Sequence, residues 1–404
     1  MRCQPLILTL VLLLSCQEPP LFPTRSRAVW QQERERRYPK EPPAPPAPGS
    51  TYYLTAIAFP SWARWEEGDF RGAEAVLFRG GEELLRTPAG ARPDAERVRF
   101  LGGDLWTDEA DGGSTRIRCN GQLRLSYEGE ELLRGFLLRD GAVHTLGQRP
   151  GGKGFCYRID GQEVFSQPYG LVQGTAASRE WPGGAFCADS TGVYYVYAVP
   201  LQKGTAVRWE YHVMRGAEPV ETFQAQEQGT LYDVRVRDGI VYRAEQRNAS
   251  ASSLCLVKGG LFLSLDVGPK ERLQSCCLVP YGDGLAVKGW SVPPGRNSCV
   301  WLRTQEGLVH YIEDNYPIAD LLLDQGLTAY YTVRDGQLYG ACLDMRHLPV
   351  PPDGYGIADP RCAAFSHGNL ALALSRSGGP QLLLTRDSTY QYAFNGFFTS
   401  VTIE

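Results

Sequence analysis

A pair of β-hairpins occupies Leu132–Ser166, LLRGFLLRDGAVHTLGQRPGGKGFCYRIDGQEVFS, and the rest of the chain repeats it. Phe136–Leu138 runs into Asp140-Gly141 and returns as Val143–Leu146; Phe155–Ile159 runs into Asp160-Gly161 and returns as Val164-Phe165. Each Asp-Gly supplies the positive φ of a tight two-residue hairpin turn. Gly147–Gly154, GQRPGGKG, is too rich in Gly and Pro to belong to a strand and joins the two hairpins. The unit is four short antiparallel strands.

The first hairpin recurs at Val98–Trp106, Phe186–Tyr197, Val234–Tyr242, Leu278–Val287, Leu321–Tyr331 and Ala363–Leu374. Its turn glycines, Gly103, Gly141, Gly192, Gly239, Gly284, Gly326 and Gly368, advance by 38 to 51 residues. The second hairpin recurs in phase, among other places at Val76–Leu85, Arg116–Leu125, Leu254–Leu263 and Thr332–Leu343. Four strands per period of this length predict an all-β chain folded as a β-propeller. A twin β-sandwich is the competing architecture, but it would not keep two hairpins in phase. Near the start, Thr51–Phe59 lacks a partner strand ahead of it, and Phe397–Glu404 is a spare strand at the end. Pairing these two closes the ring without a free edge. The count is then about eight four-stranded blades, with seven as the alternative.

Ahead of the repeat, MRCQPLILTLVLLLSC carries one Arg and an apolar run, Leu6–Leu14, too short to span a membrane as a mature helix. Residues 1–15 therefore read as an export signal. Leu13-Leu14-Ser15-Cys16 resembles the lipobox of bacterial lipoproteins, in which cleavage precedes a Cys whose thiol is diacylated; Leu14 departs from the commoner small or β-branched residue. An ordinary cleaved secretory signal is the alternative. Residues 16–50 pass through VWQQERERRYPK to EPPAPPAPGS, a tether unable to bury a core and stiffened toward polyproline II. Residues 51–404 are the propeller. Lipobox and repeat together resemble the propeller lipoproteins of Gram-negative envelopes, which implies a cell-envelope location, outer-membrane-anchored, with secretion as the alternative.

With a formal charge of −4 and a pI near 5.9 there is no basic field to hold nucleic acid, and no later apolar run is long enough to cross a membrane. The lipid is the one membrane link expected. Nine cysteines follow Cys16, mostly at strand starts where a repeat sets small apolar side chains. Core thiols are the main expectation, with Cys255 to Cys276 or Cys277, and Cys342 to Cys362, as candidate disulfides. The five histidines are scattered and no CxxC or HExxH occurs, so neither a metal nor a cofactor is expected. Asp108, Glu109, Asp111 and Gly112 read as an acidic loop, a solvated turn in preference to a calcium site. No GxSxG, P-loop, GxGxxG or sialidase SxDxGxTW box is present.

In a propeller the loops after the second strands and the loops between blades crowd one rim. Here they carry Trp62 and Trp65 in PSWARWEEGDF, Arg149 and Lys153, Trp181 in ASREWPGG, Trp290 and Arg296 in GWSVPPGRNS, and Tyr355 in PPDGYG. Aromatic faces suit sugar rings or peptide side chains, and Arg suits carboxylates. Packing at blade ends is the competing role for each Trp. The expected function is binding of a glycan or peptide on this rim, without catalysis. The alternatives are a glycan-active hydrolase or lyase using rim carboxylates, and a scaffold that contacts protein partners in an envelope complex.

Overall fold

The computed structural model describes residues 50–404 except residues 153, 172–184, 204–205, 225–228, 249, 266, 269, 296–298, 314–317, 325–326, 335–336, 343–347 and 350. They fall within one compact unit, Pro46–Glu404. Among the described residues, hydrogen bonding groups the strands into eight antiparallel sheets, six of four strands, one of five and one of three. The sheets follow one another in chain order, and their innermost strands touch in sequence: Phe186–Asp189 lies between Leu132–Arg139 and Thr230–Arg237, and Gly396–Ile403 lies between Ala363–Ser366 and Val98–Leu101. This is the expected β-propeller, with its described strands in eight blades numbered here from Tyr52.

Closure follows the expected route. Gly396–Ile403 pairs with Tyr52–Ala58 as the innermost strand of the first blade, and Thr51 and Glu404 exchange backbone hydrogen bonds of 2.8 and 2.9 Å. Phe398 is fully buried at that seam, and the Thr55 hydroxyl lies 2.6 Å from the hydroxyls of both Thr399 and Ser400. The Asp-Gly turns explain why the hairpins form where they do. Asp140 and Gly141 have φ of 52° and 79°, and Asp238 and Gly239 have 52° and 71°; two successive positive values make the turn whose twist matches the strands.

Two devices recur from blade to blade. In the outer hairpins the register slips by one residue at Leu77/Phe78, Ile117/Arg118, Tyr157/Arg158, Val213/Met214 and Leu302/Arg303, which puts one extra residue into the outermost strand. Such a bulge twists an exposed edge away from pairing with another chain. At the turn end, neighbouring blades clasp each other. Arg139 donates to the carbonyls of Asp189 at 2.6 Å and Ser190 at 3.2 Å in the next blade, and Arg237 donates in the same way to Gly282 and Gly284. Asp189 completes the fourth-to-fifth junction by accepting from the Gly239 amide at 3.0 Å.

Between the sheets lie buried apolar clusters that include some charge. Trp301, fully buried, fits because residue 289 is glycine, where a Cβ would come within 2.2 Å of the indole. Lys288 in the sixth blade, 2% exposed, donates to Asp320 at 2.9 Å and to the Leu321 carbonyl at 3.1 Å in the seventh.

Three expectations are corrected. Thr332–Leu343 is not a separate outer hairpin: Leu327–Arg334 is one strand that pairs with both Ile318–Asp324 and Gln337–Cys342. LTAYYTVR contains no turn residue that could break it, so Thr332 continues the strand begun at Leu327. The side chain of Cys342 lies outside the described residues, and among the described residues Cys255, Cys276, Cys277 and Cys362 form no disulfide. They sit in strands or at strand starts as core residues, and burial pushes the Cys277 thiol up to about 12, which keeps it protonated. Asp108, Glu109 and Asp111 are not in a loop but in the strand Asp104–Asp111, whose alternation sends Asp108 to buried Arg99 and Glu109 to Arg116 and Arg118.

Candidate rim site

Because the hairpin turns gather at one end of the strands, the loops after the second strands and between blades gather at the other. Trp62 and Trp65 stand there on a short helix, Trp62–Glu66, whose N-terminus is capped by the Ser61 hydroxyl accepting from the Arg64 amide at 3.3 Å. Their rings are engaged locally. Trp65 stacks on Phe59 at 4.6 Å and meets Phe70 and Phe397 edge-on at 4.8 and 5.4 Å, while Trp62 meets Phe59 edge-on at 4.9 Å. Trp290 lies near the end of the strand Gly284–Val292 and packs beside Val300 and Leu302, with the Lys288 ammonium 5.0 Å from its ring centre. Tyr355 is buried; its hydroxyl donates to the Pro380 carbonyl at 2.7 Å, and Arg376 covers its ring at 4.6 Å. These four aromatic residues share an end of the molecule, but each is packed within its own blade junction. Cys16, Lys153, Trp181 and Arg296 lie outside the described residues.

Arg149 differs from them: it lines a cleft of about 390 Å³ between the second and third blades. Arg92 and Arg97, from the loop joining the first blade to the second, line it too, together with Glu130, Glu131 and Gln148. That volume falls in the range of small-ligand pockets, roughly 300 to 1,000 Å³. The loop conformations follow from local chemistry. Asp94 starts the 3-10 turn Ala95–Arg97 by accepting from the Glu96 amide at 3.1 Å, and the Arg149 amide closes its own loop onto the Gly154 carbonyl at 2.9 Å.

The acids in and around the cleft are engaged. Glu131, 2% exposed, accepts from Arg158 at 2.9 Å, and Arg158 lies 4.4 Å from the centre of the Tyr127 ring. Residue 147 is glycine, where a Cβ would come within 2.2 Å of the Glu131 carboxylate. Glu130 accepts from the Gly113 amide at 3.1 Å, and Glu96 is 3.6 Å from Arg134. Burial raises the Glu96 carboxyl, with Asp94 adding to the shift. Glu163, the partner of Arg149 at 3.5 Å, is held below the usual carboxylate range mainly by the Ser166 hydroxyl. Arg92 and Arg97 form no ion pair among the described residues. Arg92, Arg97, Glu130, Glu131 and Gln148 were not singled out from the sequence, because GARPDAER and EGEELL look like ordinary solvated junctions.

No family model and no curated protein sequence matches this chain. Several solved structures are similar in fold. BamB from Moraxella catarrhalis is 13% identical over 84% of this chain and 91% of its own, with a TM-score of 0.44. The dihydro-heme d1 dehydrogenase NirN, in complex with DHE, is 12% identical over 86% and 74%, with a TM-score of 0.48. A prolyl endopeptidase is 12% identical over 76% of this chain and 49% of its own, with a TM-score of 0.45. Likeness at this level is one of fold; no activity or partner carries over from it.

Proposed function

We propose that this chain is an exported, membrane-anchored β-propeller that binds a glycan or peptide on its loop-bearing rim and performs no chemistry of its own. The cleft at Arg149 is the observation that carries this reading. It is concave and charged, and it is built from loops of two blades, the place where a propeller gathers residues distant in sequence. Among the described acids of the cleft, Glu131 is engaged by Arg158 and Glu130 accepts from a backbone amide, contacts that shape the cleft. A scaffold would be favoured by a contiguous apolar wall. Among the described residues the exposed large apolar side chains Leu84, Leu123 and Val164 come one to a blade, while Trp209 and Val220 share the fourth blade and Ile240, Leu261 and Phe262 share the fifth, where a protein contact would sit.

The test is a calorimetric screen of acidic and neutral glycans and peptides against the full chain. Arg149→Ala is expected to weaken an acidic ligand by about 1.5 to 3 kcal/mol, the worth of a charge-assisted hydrogen bond. A screen with no binder would remove the binding function.

The anchor rests on the lipobox-like Leu13–Cys16, and placement in the cell envelope of a Gram-negative bacterium follows from it. No helix among the described residues is long and apolar enough to cross a membrane. Ser50, where the tether joins the domain, accepts from Asn369 at 2.9 Å at the turn end of the blades, opposite the rim. Cys16→Ala is expected to move the protein from the membrane fraction to the soluble envelope fraction. An unchanged distribution would eliminate the lipid.

A further inference from the structure

We infer that the cleft between the second and third blades is a receptor for an acidic peptide segment, whose carboxylates are received by Arg92, Arg97 and Arg149. This rests on the reading that the rim binds a ligand, and it names the chemistry and the place.

Charge in the cleft is the first ground. Glu131 is matched by Arg158 and Glu96 stands beside Arg134, while Glu130 holds a backbone amide. The guanidinium groups of Arg92 and Arg97 have no acid of their own among the described residues, and Arg149 has only an exposed partner at 3.5 Å. The lining sets the three guanidinium groups of Arg92, Arg97 and Arg149 against the two carboxylates of Glu130 and Glu131, and Arg158 already matches Glu131, so an incoming carboxylate balances the positive excess. Guanidinium offers the planar pair of donors that a carboxylate matches.

Preorganisation is the second. Arg97 ends a 3-10 turn whose N-terminus is capped by Asp94, and its own amide donates to the Asp94 carbonyl at 3.0 Å. Arg149 extends from a loop tied by its own amide to Gly154. Less backbone ordering is therefore left to pay for on binding.

The lining chooses between peptide and sugar. A sugar ring packs its C–H face on an aromatic ring, and among the described residues no aromatic side chain lines this cleft; its apolar surface comes from Ala110, Leu132 and Pro150. Small aliphatic surface beside arginines suits the methylene stems and carboxylates of Glu or Asp side chains. Gln148 supplies an amide for the peptide backbone.

The test uses the full chain and fluorescence anisotropy of a labelled peptide of alternating Glu and Ala. Its Gln-for-Glu counterpart and an oligogalacturonate serve as competitors. The Glu peptide is expected to bind and to be displaced poorly by the Gln peptide and the oligogalacturonate, and added salt should weaken it. Arg92→Ala and Arg97→Ala should each lower its affinity about tenfold or more without changing the melting temperature, since neither side chain holds an ion pair among the described residues. Binding of the Glu peptide that ignores both substitutions would overturn the assignment of this cleft while leaving a binding rim in place. Tighter binding of the oligogalacturonate would replace the peptide with an acidic glycan. Failure of these probes alongside an empty ligand screen would remove both the cleft and the rim function.

Discussion

Removal of Phe397–Glu404 is expected to leave a chain that no longer unfolds as one cooperative unit. The segment is the innermost strand of the first blade, although the other three strands of that blade lie at the opposite end of the repeat. Without it Tyr52–Ala58 becomes a bare edge facing the ring interior, and Ala363–Ser366 loses the neighbour it packs against. Phe398, Val401 and Ile403 are buried in the cluster that joins the first and eighth blades. Each buried side chain of this size contributes about 1.5 to 3 kcal/mol, so the loss is comparable with the roughly 5 to 15 kcal/mol that holds a domain folded. Circular dichroism melts of the intact and shortened chains provide the comparison. Equal midpoints would mean that the strand decorates a ring closed in some other way. Phe398→Ala alone should cost about 3 to 5 kcal/mol.

Lys288→Met should destabilise the fold by about 3 to 5 kcal/mol, because Asp320 would remain buried without its cation. Lys288 and Asp320 are 2% and 5% exposed, and they join the sixth blade to the seventh. The pair brings little net stability relative to apolar side chains of similar volume, since desolvation of both charges offsets their attraction. Lys288→Met combined with Asp320→Leu should therefore recover most of the loss. Urea titrations of both single variants and the double variant give the coupling energy. A double variant as weak as the sum of the singles would show that the two side chains act separately.

The parts of the fold legible in the sequence are those fixed by local chemistry. Asp140-Gly141 and Asp238-Gly239 announce hairpins because few other residue pairs adopt two successive positive φ values. Closure was legible from the two orphan strands, since a strand without a partner must find one. The seventh blade was misread at Thr332 because Asp335-Gly336 matches a hairpin turn whichever pair of strands it joins. Lys288 and Asp320 gave no signal: a charged residue in a strand reads as solvated until its partner, 32 residues away, is placed beside it.

The rim illustrates a different limit. Loops rich in Trp read as binding loops because aromatic faces suit sugar rings and peptide side chains, yet the same faces pack Trp65 against Phe59, Phe70 and Phe397 within its own blade. Arg149 was legible as a rim residue from its Gly- and Pro-rich loop. Its companions Arg92 and Arg97 precede it by 57 and 52 positions and meet it across a blade junction whose geometry no local pattern encodes.

The claim that this propeller binds through its loop-bearing rim is tested most directly by amide hydrogen exchange, followed by mass spectrometry with and without a ligand from the screen. Slower exchange is expected in segments 90–97 and 148–154, which carry the cleft residues Arg92, Arg97, Gln148 and Arg149, with the turns at Asp140-Gly141 and Asp238-Gly239 unchanged. Protection confined to those turns or to the outermost strands would place the ligand on the opposite end or the outer wall, and would contradict the account.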